Sequence, residues 1–423
     1  MGANKAYKYR IYPNTNQKKY FSKVFGCVRF LYNKMLSDKK NYYEKNKESL
    51  SVNPSKYKNE FLFLKEVDSL ALCSAWIDLN FAYSNFFREI KKGNRIQGFP
   101  KYKSKKNRQT FRTNNQKNSI RIENDYIKLP KIGFVKLALH RNIKSNEVIK
   151  NVVVEKDTDD KYYISIAVEC LDVKNNDKTK DNKKEVVGID MSMKHFLVSS
   201  EGEKINHPKY LLKNESKLKK YQRKLSKKQK GSRNRAKSRL RVAKLHRKIS
   251  NQRKDFLHKL SYYFVANYKN IVIENLSIKG MQKGMFGKSV NDLGWYEFVR
   301  QLSYKSEWSG SYLHKVDRYF PSSKLYNNCG IKNTTLKLSD IKWTCCSCNV
   351  LHDREINASL NLKAYGTLLT VDSCCFKNLK SYHGMKQEAI SKAKITKITV
   401  HLKILYDNMT SRRLSASATF FSI

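Results

Sequence analysis

The chain has 423 residues, 40% of them apolar, which suits two or three globular cores and excludes a single small one. Its 86 Lys and Arg against 36 Asp and Glu leave a formal charge of +50, a self-repelling balance that calls for a polyanionic partner, nucleic acid above all. No run of about eighteen or more apolar residues marks a membrane span, and no apolar stretch follows Lys5, Lys8 and Arg10 as in a secretory signal, so a cytoplasmic protein without a membrane partner, associated with the nucleoid, is expected.

The basic residues run the whole length of the chain, which fits an enclosing channel better than a basic arm. A ribosomal-type structural binder is the plain alternative. Ala6 to Tyr12 reads as a short strand stopped by Pro13. Tyr7, Tyr9 and Tyr12 alternate along it and are read as barrel residues rather than base-stacking platforms. From Thr15 to Phe87 the pattern turns helical: Phe21, Val24, Phe25, Val28, Leu31 and Met35 fall at helical spacing, as do Leu72, Ala75, Trp76 and Leu79. After Gly98-Phe99-Pro100 come short β-rich runs at 119–122, 126–130, 135–137, 152–154 and 162–168, the pattern of a small antiparallel barrel. Residues 172–184 are charged and polar and read as a linker.

A second pattern starts at Glu185. Val186 to Asp190 is a buried strand ending in an acid, and His195 to Ser199 resembles its hairpin partner. Residues 213–254 hold 19 Lys or Arg, with Gly231-Ser232 dividing them into two helices. With almost no compensating acid there, Lys219, Lys220, Arg223, Lys227, Lys228, Arg233, Arg235, Arg239 and Arg241 are candidate nucleic-acid contacts. A solvated charged helix pair is the alternative. Ile271 to Glu274 is another acid-tipped buried strand, Trp295 to Ser306 an amphipathic helix, and Asp353 opens a helix over 354–365. Residues 367–423 show no clear organisation.

Cutting a phosphodiester with two metal ions needs carboxylates converging from rigid elements. Asp190 and Glu274 end buried strands and Asp353 opens a helix. Singly they read as a turn residue, a strand-edge residue and an N-cap; together, in a basic chain, they point to a nuclease holding two Mg²⁺. Of the nine cysteines, Cys27, Cys73 and Cys170 are isolated and read as buried residues, and disulfides are not expected. Cys345-Cys346-Ser347-Cys348 forms one zinc-type knuckle, whereas upstream Cys329 has Tyr326 where its partner would stand. Cys329, Cys345 and Cys348 are therefore three candidate Zn²⁺ ligands, with Cys346 and His352 as candidates for a fourth.

These motifs resemble the TnpB (OrfB) family, the RNA-guided nucleases of IS200/IS605-group transposons, related to compact type V CRISPR effectors. The resemblance runs from about residue 5 to about residue 366. It is carried by Ala6-Tyr7-Lys8-Tyr9-Arg10-Ile11-Tyr12-Pro13, Phe25-Gly26-Cys27-Val28-Arg29-Phe30, Tyr32-Asn33-Lys34 and Gly98-Phe99-Pro100-Lys101-Tyr102-Lys103-Ser104. Gly188-Ile189-Asp190, Ile273-Glu274-Asn275-Leu276 and Asp353-Arg354-Glu355-Ile356-Asn357-Ala358 resemble the three RuvC motifs, and Phe320-Pro321-Ser322-Ser323-Lys324 the lead into the knuckle. Asn275 and Glu355 stand where the family has Asp, and Tyr326 where it has a zinc cysteine.

The resemblance implies an α+β multidomain chain. A helical recognition lobe (14–116) would be inserted in a wedge-like β-barrel (1–13 and 117–180). A ribonuclease-H-like RuvC domain (181–321 and 352–366) would follow, carrying a zinc-knuckle insertion (322–351) and a tail (367–423). It implies a guide RNA from the transposon end, a double-stranded DNA target read through base pairing, and in-line attack by water leaving a 5′-phosphate and a 3′-hydroxyl. Three other readings share these motifs: a repressor that has lost cleavage, a type V CRISPR effector, and a strand-transferring transposase.

Overall fold

A computed structural model of the chain describes residues 4–93, 98–106, 108–170, 182–337, 340–345 and 348–379, the last ten of these as helix backbone alone. Most of the expected linker, Cys346 and the chain beyond 379 lie outside the described residues. The chain forms two compact units, Met1–Lys174 with Tyr221–Arg247, and Asn175–Lys220 with Lys248–Ile423.

The first unit opens with β1 (Asn4–Tyr12) and α1 (Thr15–Asn46). Pro13 ends the strand, and Asn14 starts the helix through a reciprocal cap: its Oδ1 accepts from the Gln17 N–H at 2.9 Å, and Gln17 Oε1 accepts from the Asn14 N–H at 3.0 Å. The stripe expected from the sequence is the buried one, including Phe21, Val24, Phe25, Val28, Leu31 and Met35. Helix α2 (Pro54–Glu60), a single 3-10 turn and α3 (Ser69–Lys91), capped by Asp68, follow.

Six strands complete an antiparallel sheet: β2 (Gln109–Asn114), β3 (Arg121–Glu123), β4 (Tyr126–Leu129), β5 (Gly133–Leu137), β6 (Glu147–Lys156) and β7 (Tyr162–Cys170). The order is β2-β6-β7-β1-β5-β4-β3, so the N-terminal strand is central. A register shift between Ile149 and Asn151 bends β6.

Two expectations change here. The sheet is open rather than a closed barrel, because β2 and β3 are its two edges. The sheet also begins before residue 117: β2 pairs with β6 from Gln109↔Lys156 to Asn114↔Asn151. The run Gln-Thr-Phe-Arg-Thr-Asn hides this strand because a polar residue, Thr113, is buried there and donates its hydroxyl to Asp68.

The basic segment forms two helices, α4 (Tyr210–Ser226) and α5 (Arg233–Asn267), with Gly231 between them at φ +89°. The left-handed backbone at that turn is why glycine serves there.

The second unit is built on β8 (Lys184–Asp190), β9 (Leu197–Ser199), β10 (Lys204–Ile205), β11 (Tyr268–Glu274) and β12 (Tyr312–Val316), in the order β10-β9-β8-β11-β12. β8 is antiparallel to β9, and β11 is parallel to both β8 and β12. Short helices α6 (Ile278–Lys283) and α7 (Gly287–Leu293) lead into α8 (Trp295–Ser309). A hairpin, β13 (Lys342–Thr344) with β14 (Leu351–Asp353), precedes α9 (Arg354–Leu379).

Alternation sorts the two faces of this sheet. Val187, Ile189, Ile271 and Ile273 pack with Leu257 and Phe264 of α5 and with Trp295, Phe298 and Leu302 of α8. Val186 and Val272 pack with Leu362 of α9 on the other face. Gly188 lies in that second row because α9 presses on the strand there: a Cβ on Gly188 would meet Ser359 O at 2.0 Å and Lys363 N at 2.5 Å. Gly366 is a second such contact, its missing Cβ 2.3 Å from Val272 Cγ2. The helix therefore runs through Gly366 to Leu379, past the end expected near residue 365.

Candidate active site

The same alternation places Asp190, after Val186 and Gly188, and Glu274, after Val272, on the face that α9 covers. Ile189 pairs with Ile273 in the parallel ladder, so the two acids follow side by side at adjacent strand ends. Between β8 and β11 the chain order reverses direction across the sheet, and the crevice beyond the carboxyl ends of strands at such a point is where open α/β sheets bind ligands.

The start of α9 supplies two more acids. Asp353 Oδ1 accepts from the backbone N–H groups of Glu355 (3.1 Å) and Ile356 (3.3 Å), the bonds of an N-cap, and its Oδ2 accepts from Lys204 Nζ at 2.7 Å. Burial alone would raise the Asp353 carboxyl; Lys204 and the two N–H groups outweigh it and hold the carboxyl below its usual range. Asp190 is pushed the other way, well above its usual range, by burial first, then by Glu274 and Glu355, with Arg354 opposing. The acid that Asp190 feels from α9 is thus Glu355. Asp353 meets the cap reading that the sequence left open, and both its oxygens are engaged.

Hydroxyl groups orient the other two acids. Ser322 donates to Glu274 and Ser192 donates to Glu355, with His195 Nε2 3.8 Å from the second Glu355 oxygen. A cavity of about 580 Å³ adjoins Glu274, lined among others by Tyr296, Arg300, Tyr304, Lys315 and Arg318. Cations and aromatic faces beside an acid cluster suit a nucleic-acid strand. Lys204 and the cavity carry no sequence signal. Glu355 does: it is the acid in the first turn of the helix that Asp353 caps.

The cysteine cluster forms in part as expected. The sulfurs of Cys329, Cys345 and Cys348 lie within 4.8 Å of one another and are the one such His, Cys, Asp and Glu group among the described residues, His352 excluded. Two matching turns bring them together. Tyr326 N–H donates to Ile331 O (2.9 Å) and Gly330 N–H to Tyr326 O (2.8 Å); likewise Cys345 N–H donates to Val350 O (3.0 Å) and Asn349 N–H to Cys345 O (3.1 Å). Gly330 and Asn349 take the same left-handed place, at φ +75° and +52°. Tyr326 therefore occupies in its turn the place that Cys345 occupies in the other. Its buried ring packs on His352 and Trp343, with centroids 5.3 and 6.2 Å away. The Cys348 thiol is drawn down to about 7, first by the Val350 N–H, and burial pushes the Cys329 thiol up to about 11, so the cluster favours a thiolate at Cys348.

Of the basic candidates, Lys219, Lys220, Arg223, Lys227, Lys228, Arg233, Arg239 and Arg241 are exposed. Arg235 is different. Its guanidinium donates to Leu225 O at 3.0 Å and Lys228 O at 2.6 Å, which ties the turn at the carboxyl end of α4.

Comparison with known proteins finds three family models: "Probable transposase" over residues 152–285, "Helix-turn-helix domain" over 1–48 and "Cas12f1-like, TNB domain" over 295–362. In this chain the helix-turn-helix stretch is strand β1 and the single helix α1. A protein of Streptomyces pristinaespiralis named as an RNA-guided DNA endonuclease is 34% identical over 88% of this chain and 90% of its own length. InsQ of Escherichia coli K12, named likewise, is 29% identical over 90% of this chain and 96% of its own length. Among solved structures, the protein of a Cas12f1–sgRNA–target DNA complex covers 86% of this chain and 99% of its own at a TM-score of 0.51 and 12% identity, which is likeness of fold.

Proposed function

This chain belongs to the TnpB (OrfB) family of transposon-encoded RNA-guided DNA endonucleases, and on that premise we propose that it cuts guide-matched DNA at the carboxylates gathered where β8, β11 and α9 meet. Guide RNA and target DNA are its partners. The observation that carries the cutting site is the side-by-side placement of Asp190 and Glu274 at a switch point of the sheet, with Glu355 acting on Asp190 from the start of α9.

The donor set fits a hard divalent cation. Glu274 and Glu355 add their like charge to the burial of Asp190, and the protonation this presses on Asp190 is what a cation would relieve, although the oxygens of the three do not all lie within 4.8 Å of one another. All-oxygen donors suit Mg²⁺. Asp190, Glu274 and Glu355 would hold it. Asp353, expected as the third ligand, fits better as the residue that caps α9 and so fixes Glu355. Bound ions would supply the activation of water and the stabilisation of the leaving oxygen. Ser322 and Ser192 hold Glu274 and Glu355 in aim, and Arg318 and Lys315 meet the phosphates of the strand being cut.

By the same reading the open seven-stranded sheet is the wedge, α1 to α3 the recognition lobe, the mixed five-stranded sheet with its helices the ribonuclease-H-like RuvC domain, and the cysteine turns its zinc-type insertion. The guide comes from the transposon end, and the +50 charge keeps the protein with nucleic acid in the nucleoid. Among the described residues no helix is long and apolar enough to cross a membrane.

The experiment is cleavage by the purified protein with its bound RNA. Asp190→Ala should abolish cutting and leave RNA binding intact, and chelation of divalent metal should do the same reversibly. Undiminished cutting by Asp190→Ala sinks the site.

A further inference from the structure

Three thiols and a tyrosine occupy the four knuckle positions, and the hydrogen bonds that flank the two turns match. We propose that Cys329, Cys345 and Cys348 form a three-thiolate site for a zinc-class ion whose fourth corner, at Tyr326, is left to solvent or to a small exogenous donor such as a thiol or an imidazole. This rests on reading the cluster as a metal site and does not depend on the carboxylate site.

The spacing supports it. A tetrahedral ion with sulfur at about 2.3 Å sets its sulfurs about 3.8 Å apart. Here Cys329 and Cys345 are 3.5 Å apart, and all three sulfurs lie within 4.8 Å of one another. The turns that aim cysteines at a metal are therefore formed, with matching hydrogen bonds and matching left-handed residues.

The fourth corner is where the chain departs. Tyr326 heads its turn as Cys345 heads the other, but its ring is buried against His352 and Trp343, which face each other across β13 and β14. That aromatic packing joins the two turns where a fourth metal–sulfur bond would otherwise do so. His352 is not within reach of the three sulfurs together. Sites with four protein ligands are closed and structural, whereas sites with three keep a position for an exchangeable ligand. Among the described residues no fourth ligand joins the three sulfurs, and by that rule this site belongs to the exchangeable kind.

The test is spectroscopic. The full-length protein is stripped of metal under reducing, anaerobic conditions and titrated with Co²⁺. The wild type should bind with the thiolate charge-transfer and d–d bands of a tetrahedral three-sulfur centre, and added imidazole should shift the d–d bands. Tyr326→Phe and His352→Gln should keep that spectrum and that response. Tyr326→Cys should give a four-thiolate spectrum unmoved by imidazole, and should hold zinc against a chelator at least ~10–100-fold more tightly, the range that even outer partners of a ligand command. Absence of thiolate bands in the wild type overturns the proposal. So does a wild type whose bands imidazole does not move, and where Tyr326→Phe or His352→Gln then gains the response, that side chain is the fourth ligand. Cleavage assayed on the same preparations is a separate readout: missing cobalt bands with intact cutting would reject the thiolate site and leave the endonuclease reading standing.

Discussion

The Cβ that Gly188 lacks would lie 2.0 Å from the carbonyl oxygen of Ser359. That contact lets α9 lie directly on β8 and brings Glu355 to Asp190. Because the clash is with backbone, no rotamer relieves it. Gly188→Ala should destabilise the chain by about 3 kcal/mol, the upper end for overpacking, and should shift α9. Thermal melting and a cleavage assay check it; a wild-type melt with wild-type cutting would refute the close packing.

Asp353 and Glu355 should separate by what each variant damages. Asp353→Asn keeps a good N-cap and should stay near wild-type stability, whereas Asp353→Ala should lose about 1–2 kcal/mol. Glu355→Gln should leave stability within about 0.5 kcal/mol yet lower kcat by about a hundredfold or more. If Glu355→Gln cuts normally and Asp353→Asn does not, the two roles are reversed.

Arg247 donates to Asp157, and to Asp159 at 2.9 Å, and stacks over Tyr163 at 4.3 Å. The Asp159 side chain is 1% exposed, so without the guanidinium it is a buried charge with much of its compensation gone. Arg247→Met should destabilise by about 3 kcal/mol, the lower end for breaking a buried pair. A urea titration of the full chain reads it, and a change under about 0.5 kcal/mol contradicts it.

Glu155 accepts from Arg108, and from Lys8 at 2.8 Å. Burial works to raise its carboxyl, but Arg108 and Lys8 prevail and hold it below the usual range. The folded state thus binds its proton less readily than the unfolded chain. The contribution is complete above the ordinary glutamate value, 4.5, and is lost as pH falls from there through the lowered folded value. Between pH 6 and about pH 4, the urea midpoint should fall further for the wild type than for Glu155→Gln. Parallel curves would show that the pair carries no pH dependence.

What the sequence made legible depended on whether a residue's role is local. The helical stripe of α1 was readable because its apolar spacing repeats, and β8 and β11 because buried parallel strands are continuous apolar runs ending in acids. β2 and β12 were not, since Thr113 is buried by a side-chain bond to Asp68, and Tyr-Leu-His-Lys-Val has the alternation of neither face. The influence of Glu355 on Asp190 was not readable from the sequence, because it depends on how α9 lies against β8, a tertiary fact. Arg235 looked like its basic neighbours until its guanidinium was found on the Leu225 and Lys228 carbonyls. The end of α9 was misjudged because Gly366 reads as a stop, while its small size serves packing on Val272.

The central position of β1 has a consequence for biosynthesis. Its residues leave the ribosome long before their partners, yet Ala6 pairs with Ala167 and Ile11 with Leu137. At translation rates of about 5–20 residues per second, the strand waits roughly 8–30 s for its partner β7. During that interval α1 to α3 are already complete and can collapse around Phe21, Leu31 and Leu72, leaving β1 as an unpaired edge on a half-built domain. The nascent chain is therefore most exposed to misassociation before residue 170 emerges, and slowing translation within that stretch should lower the yield of folded protein more than slowing it afterwards.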